Sequence, residues 1–221
     1  MTNTLVLIGA SHIKNLDRHL HIENYQVHRY IFPGYSGKRI MKNIPWGILE
    51  TLSEKDVILL QVFGNDSFKP NTHEITYQPK KIIHLKEFQP EDFPKLEKVF
   101  LEYRNKLSSL RARVLIINNI PRHFYCCREH RFKGIIGIQS KINKLMLRVF
   151  SEPKCKIQVL KWNTVFLAKK DGKSFKASLE QCKAIYEDKV HLKPEFYRLA
   201  VQNLKKILSR EYPKKESVKN L

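Results

Sequence analysis

Four short blocks of this chain carry groups suited to acyl transfer. The first is Gly9-Ala10-Ser11-His12. A serine becomes a nucleophile when a sharp turn from strand to helix presents both its hydroxyl and its own N–H to a substrate. The second is Gly34-Tyr35-Ser36-Gly37, where Gly37 lets a backbone N–H approach an oxyanion with no side chain in the way. The third is Phe63-Gly64-Asn65-Asp66, whose Asn65 amide is a further donor to such an oxyanion. The fourth, Asp188-Lys189-Val190-His191, sets a carboxylate three residues before an imidazole. On a turn, that spacing places Asp188 on one ring nitrogen of His191, fixes the tautomer and leaves the other nitrogen to take the serine proton. Each block also has an ordinary reading: Ser11 as a helix N-cap, Gly37 and Gly64-Asn65-Asp66 as turn residues, Asp188 as a surface acid and His191 as a helix start. Taken one at a time, the ordinary reading is favoured. Their joint order along the chain points to catalysis.

The elements that must position these blocks follow an alternating pattern. Thr4–Gly9, Asp56–Val62 and Arg113–Asn118 are apolar runs of buried-strand length, Ile157–Leu160 is a shorter one, and Asn24–Phe32 is a partly polar strand. Helical periodicity covers His12–Leu20, Arg39–Leu52 with Gly47 as a weak spot, Pro94–Leu110, Gly137–Phe150 and Pro194–Leu208. Strands alternating with helices imply an α/β fold with a mainly parallel sheet covered on both faces. Binding residues in such sheets collect at the carboxyl ends of the strands, and three of the four blocks fall there. The stretch Ser67–Phe93 is long for a connection and reads as a lid or binding loop. There is no internal repeat and no low-complexity tract.

The order and placement of the blocks resemble the SGNH hydrolase family, the GDSL esterases and lipases, over a span from Thr4 to Leu208. The resemblance implies a flavodoxin-like three-layer α/β/α fold around a five-stranded sheet. It implies Ser11 as nucleophile, His191 as general base and Asp188 as the residue that orients His191. The Ser11 N–H, the Gly37 N–H and the Asn65 side chain would form the oxyanion hole. The reaction implied is ester hydrolysis through an acyl-enzyme, with no metal and no cofactor. Two positions depart from the family pattern: Ala10 stands where an Asp is usual, and Phe63 where a Gly is usual. Neither removes a reacting group. Ala10 would weaken support around the nucleophile, and Phe63 would narrow or reshape the site.

Charge adds a second theme. Lys and Arg number 41 against 21 Asp and Glu, a formal net charge of +20. Such a field attracts polyanions, nucleic acid first and an anionic membrane surface or polyphosphate second, with a solvated basic surface as the ordinary reading. The basic charge and the Gly-x-Ser-His opening resemble SGNH-like domains that work with RNA: the C-terminal domain type of the insect germ-plasm protein Oskar, regarded as non-catalytic, and the esterase-like domains of some LINE-type retrotransposons, which keep the triad. Retention of Ser11, Asn65, Asp188 and His191 favours the catalytic branch. Expected phosphate contacts are Lys14, Arg18, Lys38, Arg39, Lys80, Lys81, Arg128 and Arg131, with solvated helix faces as the ordinary reading of each.

The remaining features exclude other classes. The length suits one domain, residues 1–210, followed by a basic tail over 211–221. The four cysteines, Cys126, Cys127, Cys155 and Cys182, do not space like a secreted disulfide framework. His123, Cys126, Cys127 and His130 match no trusted zinc spacing, so no metal is expected. The apolar run at the N-terminus is too short for a signal peptide and no stretch is long enough to span a membrane, which reads as an intracellular protein, cytoplasmic or nuclear. The oligomeric state is not legible.

Overall fold

The structure is a computed structural model that describes residues 2–66, 69–70, 85–86, 90–120, 129–151, 156–167, 179–188 and 191–209. The chain runs β1 (Asn3–Gly9), α1 (Ser11–Asp17), β2 (Tyr25–Ile31), α2 (Gly37–Met41), α3 (Trp46–Glu50), β3 (Val57–Gln61), β4 (Lys69–Pro70), β5 (Leu85–Lys86), α4 (Asp92–Ser108), β6 (Arg113–Ile117), α5 (Glu129–Phe150), β7 (Ile157–Leu160), α6 (Trp162–Leu167), α7 (Leu179–Ile185) and α8 (Pro194–Leu208). Five strands form one sheet in the order β2-β1-β3-β6-β7, and every pair in it is parallel. β4 and β5 pair antiparallel, apart from that sheet and inside the long connection after β3.

Continuous apolar strands are what a sheet covered on both faces requires. In β1, Val6 and Ile8 enter a core shared with α2, α3, α4 and α5, which includes Ile40, Leu49, Phe100 and Met146. Leu5 and Leu7 enter the opposite core with α1, α6, α7 and α8, which includes Ile13, Phe166, Cys182 and Leu204. The period-two alternation of one strand thus builds both layers.

Three local expectations change. The single helix expected over Arg39–Leu52 is two short helices, because Pro45 lies between them and cannot donate the hydrogen bond that would join them. The Trp46 indole N–H closes the break by donating to the Met41 carbonyl at 3.1 Å. The helix expected from Gly137 begins at Glu129, since Gly137 is tolerated inside it, at an intrinsic cost of about 1 kcal/mol. α6 and α7 are too short to carry a helical period in sequence, and neither was expected.

The register decides where the site must be. Gly9 pairs with Ile31 on one side and with Gln61 on the other, so β1, β2 and β3 end level. The chain winds from β1 outward to β2 and then returns to β3 on the other flank of β1. That reversal is a topological switch point, where open α/β sheets leave a crevice at the strand ends. Gly9 is required there: a Cβ on it would lie 2.5 Å from the Gln61 carbonyl oxygen and 2.6 Å from Ile13 Cγ1.

Candidate active site

Ser11 is the first residue of α1, at the end of β1, and is partly exposed. Its N–H is one of the four that a helix leaves without an internal partner. Ala10, the N-cap, is buried and gives α1 no side-chain cap, which is the local consequence of lacking an Asp there. Gly37 is the first residue of α2, capped by the Ser36 hydroxyl, which accepts from the Arg39 N–H at 3.4 Å. Asn65 and Asp66 follow β3. All three blocks therefore leave the sheet at the same level, side by side.

The second and third blocks are bonded to each other. Asn65 Nδ2 donates to the Tyr35 carbonyl at 3.0 Å, which fixes the orientation of its amide. The Gly37 N–H donates to Asp66 Oδ2 at 2.7 Å, and the Gly37 carbonyl accepts from the Tyr103 hydroxyl at 2.8 Å. Gly37, expected to offer its N–H to an oxyanion, thus has that group engaged by a carboxylate. Burial of the Asp66 carboxylate pushes it from the ordinary 3.8 up to about 6, against the pull of the Gly37 N–H. Tyr103 is shifted far upward, by burial first and by the Asp66 charge second.

Phe63 does not narrow the site. Its ring is buried in the core at 4.4 Å from Phe100 and 5.0 Å from Tyr103, centroid to centroid. It lies directly beneath Gly37, where an added Cβ would come within 2.7 Å of Phe63 Cδ1. The larger residue at 63 therefore makes a side chain at 37 sterically costly.

The two ends of the fourth block, Asp188 and His191, are held together. Tyr186 and Leu192 bridge antiparallel, and the Glu187 N–H donates to the His191 carbonyl at 2.9 Å. Asp188 Oδ1 accepts from the His191 N–H at 2.6 Å, and Asp188 Oδ2 lies 2.7 Å from His191 Nδ1. One carboxylate thus sets both the backbone and the ring of His191. The His191 side chain keeps 33% of its surface exposed and that of Asp188 keeps 57%. His191 abuts the first block: the ring of His12, the residue after Ser11, meets the His191 ring edge-on at 6.1 Å.

Comparison with solved structures finds this architecture repeatedly. A protein from Slackia heliotrinireducens assigned to the SGNH hydrolases superposes with a TM-score of 0.59 at 11% identity, covering 93% of this chain and 98% of that one. The chain has the SGNH-hydrolase fold. A GDSL-like lipase from Bacteroides thetaiotaomicron matches with a TM-score of 0.57 at 12% identity, over 93% of this chain and 87% of its own. The acetyl xylan esterase AlAXEase matches with a TM-score of 0.52 at 14% identity, over 92% of this chain and 98% of its own. No family model matches the sequence, and no curated protein does.

Four of the basic residues expected to meet phosphate have described side chains. Lys14 on α1 and Arg18, its C-cap, are exposed, and Lys38 and Arg39 are exposed on α2, in the layer on the opposite face of the sheet. The Arg39 guanidinium covers the Tyr35 ring at 3.7 Å. Lys80, Lys81 and Arg128 lie outside the described residues, as do His123, Cys126, Cys127, Cys155 and the tail over 211–221. Arg131 falls in α5, with its side chain outside the description. Cys182 is a core residue whose thiol burial pushes up to about 12, which removes it from nucleophilic chemistry. Among the described residues, no group of three or more His, Cys, Asp or Glu could hold a metal ion, and no helix is long and apolar enough to cross a membrane.

Sequence reasoning passed over Asp66, which reads as turn chemistry, and Tyr103, which reads as one more apolar position on α4. No local pattern signals their contacts with Gly37, because these span 29 and 66 residues.

Proposed function

We propose that this protein is an SGNH-type serine ester hydrolase. Ser11 attacks the ester carbonyl, and His191 takes the hydroxyl proton. His191 then returns that proton to the leaving alcohol, and water releases the acyl group from Ser11 by the same steps in reverse. Asp188 holds Nδ1 of His191, which leaves Nε2 as the base. The Ser11 N–H and the Asn65 amide stabilise the oxyanion, joined by the Gly37 N–H when it leaves Asp66. The reaction as written uses no metal or cofactor. One observation carries the reading: the Asp188–His191 pair, bonded at 2.7 Å, sits against the turn that bears Ser11. Similarity in fold to a GDSL-like lipase and to an acetyl xylan esterase supports an ester as the substrate class.

The test is hydrolysis of short p-nitrophenyl esters together with labelling by a fluorophosphonate probe. The expected result is turnover and labelling in the native protein, with both lost in Ser11→Ala. A folded native protein that neither turns over such esters nor takes the label counts against the reading.

A second reading, an RNA-binding module with little turnover, is favoured by the net charge of +20 and by exposed Lys14, Arg18, Lys38 and Arg39. Salt separates the two. RNA binding weakens steeply as salt rises, whereas hydrolysis of a neutral ester changes little.

A further inference from the structure

Tyr197 is a buried residue of α8, 4% exposed, and its hydroxyl reaches two other segments. The Leu192 N–H donates to it at 3.3 Å and Asn15 Nδ2 donates at 3.4 Å. His12 Nδ1 lies 3.0 Å from the same oxygen. A phenol O–H both donates and accepts, so one hydroxyl can take N–H donors from Leu192 and Asn15 and still face His12 Nδ1. Just past the end of α1, His19 stacks on the Tyr197 ring at 6.2 Å and an angle of 16°.

The partners of this hydroxyl are the neighbours of the two reacting groups. His12 follows Ser11, and Leu192 follows His191. We propose that Tyr197 is a positioning residue: its hydroxyl ties the turn bearing Ser11 to the segment bearing His191, acting on the first through His12 and on the second through the Leu192 N–H. The proposal rests on the esterase reading. It answers a physical need of that reading, since the tie spans 185 residues of sequence and joins two segments that no strand pairing among the described residues holds together. A nucleophile and base must meet within a fraction of an ångström, and a small displacement of either slows the reaction steeply. The edge-on contact of His12 with His191 makes the same link by a second route.

The test is Tyr197→Phe, which removes the hydroxyl and keeps the ring against His19. The expected result is a fall in kcat on the order of 10- to 100-fold with KM changed less than about twofold, because alignment and not substrate binding is lost. The rate of fluorophosphonate labelling falls in parallel. Val201→Ala, a buried change one turn further along the same helix that removes no polar group, lowers the melting temperature and leaves kcat per folded molecule near the native value. Nitrogen NMR of the imidazoles adds a readout independent of turnover: in Tyr197→Phe the signals of both His12 and His191 move from their native positions. Native kcat in Tyr197→Phe overturns the proposal, as does an equal loss of kcat in Val201→Ala, which would mark a merely structural role. Native protein that neither turns over nor labels overturns the esterase reading itself; unmoved imidazole signals in Tyr197→Phe would then show that the tie is absent as well.

Discussion

The Gly37 N–H donates to the carboxylate of Asp66 at 2.7 Å, so a group suited to holding an oxyanion is held by a protein anion instead. An ionised carboxylate is a strong acceptor and repels a second negative charge placed beside it. With the Asp66 carboxyl raised to about 6, its ionisation falls near neutral pH and not far below it.

Asp66→Asn tests this directly. The amide oxygen still accepts from Gly37, more weakly and without charge, so kcat at pH 8 is expected to rise by roughly tenfold, only part of the ~10²–10³ that one free oxyanion donor contributes. Steady-state kinetics of the two proteins check it; a lower kcat in a well-folded Asp66→Asn protein would contradict the competition.

The same carboxyl sets a stability trend. Its folded value of about 6 exceeds the ordinary 3.8, so the folded chain keeps a proton that the unfolded chain has released in between. Its contribution is full below pH ~4 and is lost as pH rises through ~6. Urea unfolding should show Asp66→Asn gaining on the native protein across that window by on the order of 2 kcal/mol. A constant difference between pH 4 and 7 would speak against it.

Asp56 has the opposite sign. Burial raises its carboxyl, but hydrogen bonds from Ser53 and Thr4 more than offset that and hold it below the ordinary value. Its oxygens accept from the Thr4 N–H at 2.6 Å and from the Ser53 N–H and hydroxyl at 2.7 Å each, joining the start of β1 to the start of β3. The contribution is present above the unfolded value and lost as pH falls through the folded one. Asp56→Ala is expected to cost about 1–3 kcal/mol at pH 7, with the gap closing in strong acid, as read by denaturant unfolding.

Asp188→Ala should leave the fold intact and lower kcat on the order of 10²-fold or more, because His191 loses the partner that sets its ring. Circular dichroism and ester kinetics together check this. Native kcat would mean that the segment alone orients His191.

Gly37→Ala places a methyl against the Phe63 ring at 2.7 Å, in a core that cannot yield without repacking Phe100 and Tyr103. The expected cost is about 1–3 kcal/mol. Adding Phe63→Leu should recover part of it, so that a double-mutant cycle gives a favourable coupling in melting experiments. Strict additivity would place the strain elsewhere.

Much of the site was legible in the sequence, because its groups sit on the short turns that follow apolar strands. The apolar runs Thr4–Gly9 and Asp56–Val62 announce buried parallel strands, with Asn24–Phe32 a partly polar strand beside them, and such strands bring their carboxyl ends together whatever lies between. The i, i+3 pair of Asp188 and His191 is local, so its bond follows from spacing alone. Other relationships were decided only by the tertiary structure. That Asp66 takes the Gly37 N–H depends on β1, β2 and β3 ending level, a matter of register. That Phe63 turns into the core and not into the site depends on the room left by Phe100, Tyr103 and Phe150. That Tyr197 joins the neighbours of Ser11 and His191 depends on α8 packing against α1, in a layer where it reads along the chain as one more aromatic. Periodicity in a sequence reports which face of an element is buried. Which polar groups meet across that face is set by long-range packing, and no local pattern encodes it.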